Sequence, residues 1–167
     1  MDSGARTIAS ATPVMATRMR VLCLGNDQMA DDALGSMVAQ TIRQFVPEEV
    51  EVVATPEAGF SLLDYLLDAE HVVMIDTVLT HAAPVGTIYE LDETELAVIP
   101  GRSSHGAGLC EVIALARELG LPTAHNVVVL AVEAADCSTL GGEMHPAVRS
   151  AIPALADMVR DMLPRQN

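Results

Sequence analysis

Aromatic side chains are nearly missing: two Tyr, two Phe and no Trp make up 2% of 167 residues. With half the chain hydrophobic, any core must be built from aliphatic residues and Met. Basic residues are scarce too. Nine Lys plus Arg against 23 Asp plus Glu leave a formal charge of -14. Single-stranded nucleic acid needs stacking platforms and a basic groove, and this chain supplies neither, so no nucleic-acid partner is expected. No apolar run approaches the ~18 residues of a spanning helix, so no membrane association is expected either. The three cysteines, Cys23, Cys110 and Cys137, are far apart, form no Cys-x-x-Cys pair and are odd in number. That pattern favours a reducing compartment, and a cytoplasmic location is expected.

Two catalytic signatures are also lacking. There is no Gly-x-Ser-x-Gly elbow, and Ser103 or Ser104 beside His105 is only a sequence neighbour. The run from Gly25-Asn26 to Gly35 lacks the glycines of a dinucleotide fingerprint and puts Asp31 and Asp32 where a phosphate would sit. A cation suits that position better than an anion.

What is present is an alternation of apolar strands and amphipathic helices. Residues 1–18, rich in Ala, Ser and Thr, lack the continuous apolar stretch of a secretory signal and read as a disordered extension, with residues 19–167 a single domain. Val21 to Leu24 is a buried strand ending in Gly25-Asn26, and Leu34, Met37, Val38 and Ile42 share one helical face, with Pro47 marking the end of that region. Val50 to Ala54 predicts a second strand, Ser61 to Leu67 a short helix, and Val72 to Ile75 a third strand that Asp76 terminates. Thr87 to Leu91 is the candidate edge or antiparallel strand. Leu109, Val112, Ile113, Ala116 and Leu119 predict a helix closed by Gly120 and Pro122, and Val127 to Val132 is the clearest buried strand. Pro146 opens a last helix with the stripe Val148, Ile152, Leu155 and Val159, which Pro153 is expected to kink or split. The pattern predicts an α/β fold with helices on both faces of a mostly parallel sheet.

Three polar residues stand at the expected ligand face of such a sheet: Asp32, Asp76 and His105. Two carboxylates and an imidazole form a donor set suited to a divalent transition metal, although no His-x-x-x-His spacing marks a preassembled zinc site. Structural roles stand beside this reading. Asp31 or Asp32 can cap the helix that follows, Asp76 can form a turn, and His105 can be a surface loop residue. His71, His81, His125 and His145 read as surface or strand-flanking, and Cys23 as packing.

Gly25-Asn26, four residues, Asp31-Asp32, two residues and Gly35 resembles the signature of the hydrogenase maturation endopeptidases, the proteases that process the large subunit of [NiFe] hydrogenases. Ile75-Asp76, Ser104-His105 with Gly108-Leu109, and the last strand with its Pro-punctuated helix extend the resemblance to roughly residues 19–163. It implies a three-layer α/β/α fold with a twisted, mostly parallel five-stranded sheet. It also implies that Asp32, Asp76 and His105 contact nickel held by the substrate, with no tightly bound metal in the free protein, no protein nucleophile and removal of a C-terminal extension from the [NiFe] hydrogenase large-subunit precursor. A monomer is expected. Asp32 is then the metal contact and Asp31 the structural member of the pair. The chain departs from the family in Ala33, in Gln28-Met29-Ala30 and in Thr55-Pro56-Glu57-Ala58-Gly59, a loop that bears on which hydrogenase is read. The alternative function is a non-catalytic chaperone or metal-sensing binding module for the same precursor; an unrelated α/β hydrolase rests on fold analogy alone.

Overall fold

The computed structural model describes residues 17–96, 102–103 and 108–164. Strand β1 (Thr17–Leu24) turns through a 3-10 segment (Ala30–Ala33) into helix α1 (Leu34–Ile42) and strand β2 (Val50–Thr55). A second 3-10 turn (Gly59–Leu62) leads into the single-turn helix α2 (Leu63–Leu66) and strand β3 (Ala69–Leu79). Then come β4 (Ile88–Asp92), the short α3 (Glu93–Leu96), the two-residue β5 (Arg102–Ser103), α4 (Leu109–Glu118), β6 (Asn126–Glu133) and α5 (Pro146–Met162).

The main sheet has the order β2-β1-β3-β6-β4, parallel throughout except for β4, which runs antiparallel to β6 at the edge. This is the five-stranded, mostly parallel sheet that the resemblance implies, and the candidate edge or antiparallel strand, Thr87 to Leu91, is both. The two-residue β5 adds a short antiparallel pairing to β3. Alternation along β1 explains the layers, because successive side chains leave opposite faces. Met19, Val21 and Cys23 pack with the stripes of α1 and α5, while Leu22 and Leu24 pack with α2 and α4. The buried stripe of α5 is Val148, Ile152, Leu155 and Val159, as the spacing predicts.

Pro153 lies inside α5, which runs through it without splitting. Two expectations need correction. Helix α1 ends at Ile42, five residues before Pro47. Asp76 does not terminate its strand: β3 continues to Leu79, because β6 accompanies it to the Val78–Glu133 pair. The ladder with β1, by contrast, stops at Cys23–Ile75, so Asp76 is the first residue of β3 beyond it. Among the described residues no helix is long and apolar enough to cross a membrane.

Candidate active site

Strand β1 connects to β2 on one side while the chain's next strand, β3, lies on the other, so the C-terminal end of β1 is the topological switch point of the sheet. Open α/β sheets bind ligands in the crevice at such a point. Two glycines shape it. Gly25 has φ of 144°, and a Cβ there would stand 2.0 Å from the Asp32 carbonyl oxygen. A Cβ on Gly35 would stand 2.0 Å from the Leu24 carbonyl oxygen. The turn carrying Asp31 and Asp32 therefore lies directly against the end of β1, and both carboxylates are drawn inward, 1% and 3% exposed.

Asp31 and Asp32 diverge in their contacts. Neither caps a helix: the 3-10 turn and α1 begin without a side-chain cap. The Asp31 carboxylate instead accepts the amides of Ala135 and Asp136 at 2.7 and 2.9 Å and that of His145 at 2.6 Å. Its structural role stands, but the partner is the far end of the chain. Asp32 Oδ2 accepts the Asn26 amide at 2.9 Å, and its Oδ1 accepts the Thr77 hydroxyl at 3.2 Å.

Asp76, 2% exposed, accepts the Thr77 amide on its Oδ1 at 2.7 Å. Thr77 thus holds both carboxylates, and the structure brings Asp32 and Asp76 together as the sequence predicts. His105 lies outside the described residues. Ser103, two residues before it, pairs with Val78, two residues beyond Asp76. On its other side, a Cβ built on Gly108 would stand 3.8 Å from the Gly59 Cα. Among the described residues no group of three or more His, Cys, Asp and Glu side chains is arranged to hold a metal.

Sequence reasoning missed Thr77 and Cys137. The Cys137 thiol donates to the Thr77 hydroxyl oxygen at 3.4 Å. Burial above all, with the nearby Asp32, Asp31 and Asp76 carboxylates and against the opposing Thr77 contact, pushes its pKa up to about 12. Burial pushes the Cys23 thiol to about 12 as well. Both stay protonated at neutral pH and neither is a thiolate nucleophile. His145, read as a surface residue, caps α5 through its Nδ1, which accepts the Ala147 amide at 3.2 Å. Asp27, in the turn after β1, lines two grooves: one of about 610 Å³ with Met144, Pro146 and Arg149, and one of about 330 Å³ with Arg43, Thr55 and Pro56.

Residues 37–162 match the family model described as hydrogenase maturation protease. The chain belongs to the hydrogenase maturation protease family. That match spans Asp76 and His105 and begins after Asp32. The hydrogenase 2 maturation protease of Escherichia coli is 25% identical over 159 residues, 89% of this chain and 97% of that protein. The hydrogenase expression/formation protein HupD of Bradyrhizobium diazoefficiens is 28% identical over 151 residues, 87% of this chain and 78% of that protein. Among solved structures, the maturating endopeptidase HybD from E. coli superposes with a TM-score of 0.75 at 23% identity, over 87% of this chain and 91% of that one. HybD from Thermococcus kodakarensis gives 0.69 at 20% identity, over 88% and 99%. These superpositions establish that a maturation-protease fold surrounds the two carboxylates.

Proposed function

We propose that this maturation protease is an endopeptidase that removes the C-terminal extension of a nickel-loaded [NiFe] hydrogenase large-subunit precursor, with Asp32, Asp76 and His105 contacting the nickel that the precursor carries. The observation that supports this most is the pair of buried carboxylates held side by side by Thr77 at the switch point of the sheet. Oxygen donors with an imidazole suit a divalent transition metal, and Ser103, two residues before His105, pairs with Val78 of β3.

Peptide hydrolysis adds water to the scissile carbonyl carbon, breaks the C–N bond and releases the amine with a proton. A metal held by the substrate assists by polarising that carbonyl or activating the water. Asp32 and Asp76 would position it, and the two grooves that Asp27 lines give an extended chain room beside the turn after β1. Because the metal arrives with the substrate, the free protein is expected to purify without a stoichiometric metal.

Incubation of purified protein with nickel-loaded precursor tests this by intact mass. Loss of the C-terminal extension is expected with the parent protein and not with Asp32→Ala, Asp76→Asn or His105→Ala. Full cleavage by Asp76→Asn and His105→Ala would overturn the assignment. Tight binding of the precursor without any mass loss would make the protein a chaperone instead.

A further inference from the structure

We propose that Thr77 is a positioning residue that sets the spacing and orientation of Asp32 and Asp76, its hydroxyl holding the first carboxylate and its amide the second. Both donors belong to one residue: Thr77 Oγ1 to Asp32 Oδ1 at 3.2 Å and Thr77 N to Asp76 Oδ1 at 2.7 Å. Asp32 comes from the turn after β1 and Asp76 from β3, so their separation would otherwise depend on how two independent segments pack. Tying each to Thr77 makes that separation follow the covalent frame of a single residue. Donors aimed at one oxygen of each carboxylate oppose a drift of either side chain from that placement.

The Thr77 hydroxyl donates to Asp32 Oδ1. Its oxygen is then left to accept, and the Cys137 thiol donates to it at 3.4 Å. The hydrogen-bond chain runs Cys137 to Thr77 to Asp32. The same residue that positions Asp32 is therefore itself oriented from the loop after β6.

The kinetic part of the test rests on the proteolytic reading above; the crystallographic part does not. Thr77→Val keeps the size and the amide while removing the hydroxyl, and Thr77→Ser restores a hydroxyl. With nickel-loaded precursor, Thr77→Val is expected to lower kcat by about tenfold or more with KM within about twofold, and Thr77→Ser to recover to within about threefold of the parent. An undiminished kcat in Thr77→Val, or a loss that Thr77→Ser does not rescue, overturns the proposal. Crystal structures of the two variants give the second readout. The Asp32 carboxylate is expected to turn away in Thr77→Val and keep its place in Thr77→Ser; an unmoved Asp32 in Thr77→Val overturns it. If the parent leaves the precursor uncut, the proteolytic reading fails and the two crystal structures decide the role of Thr77. Thr77→Ala serves in both measurements should Thr77→Val not fold.

Discussion

The Asp31 carboxylate accepts the backbone N–H of His145 across 114 residues of sequence, at 2.6 Å, tying the turn after β1 to the start of α5. The same carboxylate takes the amides of Ala135 and Asp136, and the Asp31 amide donates back to the Asp136 carbonyl at 2.9 Å. Removing it takes the acceptor from three backbone donors, on the half-buried Asp136 and the exposed Ala135 and His145. Hydrogen bonds to a charged group contribute about 1.5 to 3 kcal/mol each, so Asp31→Ala is expected to cost about 3 kcal/mol or more. A helix cap would cost only about 1 kcal/mol, which makes the two roles separable by urea unfolding.

Gly25→Ala and Gly35→Ala are expected to be severe, and for related reasons. Each added Cβ would sit 2.0 Å from a backbone carbonyl oxygen, of Asp32 and of Leu24 respectively. Backbone on both sides of the clash cannot yield as a flexible side chain would. The turn must lift from the strand, at about 3 kcal/mol or more, and it carries Asp32 with it. Stability measured by denaturation and cleavage of the precursor should fall together in both variants. A folded, fully active Gly35→Ala would contradict the close packing of the turn on β1.

The fold was legible where burial imposes a period. The apolar run Val127 to Val132 and the stripes of α1 and α5 carry their own signal, because a core face repeats every two or 3.6 residues. Asp76 shows the opposite case. A carboxylate after four apolar residues reads as a strand end, yet β3 continues because its partner β6 does, and β6 lies some 55 residues away in sequence. The grouping of Asp32 with Asp76 was readable because each follows an apolar run toward the expected ligand face of the sheet. Thr77 and Cys137 were not: an ordinary threonine in a strand and a single thiol carry no local pattern, and only the sheet brings them to Asp32. Asp31 likewise had a local explanation, capping, that its distant amide partners displace.

Glu133, at the end of β6, is expected to make stability depend on pH. It is 1% exposed, and burial by itself would raise its pKa. Hydrogen bonds from the Thr80 hydroxyl, the His81 amide, the Tyr89 hydroxyl and the Thr80 amide outweigh that and hold it below the ordinary glutamate value. A carboxylate whose folded pKa is depressed contributes stability that is fully present above the unfolded pKa. That contribution is lost as pH falls through the lower, folded value. Glu133→Gln should be less stable than the parent at neutral pH, with the gap closing on acidification. Urea midpoints collected across that range check it; a gap that stays constant would mean that the carboxylate's charge is not what holds residues 80 and 81.

Arg20 separates an ion pair from buried carbonyl contacts. Its guanidinium meets Glu51 at 2.6 Å and also donates to the Tyr65 and Leu67 carbonyls at 2.5 and 3.1 Å, at the C-terminal end of α2. The Glu51 side chain is 45% exposed, and such an ion pair contributes only about 0 to 1 kcal/mol once solvent screens it. The carbonyls have a different dependence. The last carbonyls of a helix lack partners within it, and Arg20, with its side chain 11% exposed, supplies them from inside the fold. Arg20→Met is therefore expected to cost about 2 kcal/mol or more, and Glu51→Ala less than about 1 kcal/mol. Arg20→Lys should fall near Arg20→Met, because one ammonium cannot reproduce the forked contact. Chemical denaturation of the three variants checks the order, and a Glu51→Ala cost equal to that of Arg20→Met would place the stabilisation in the ion pair instead.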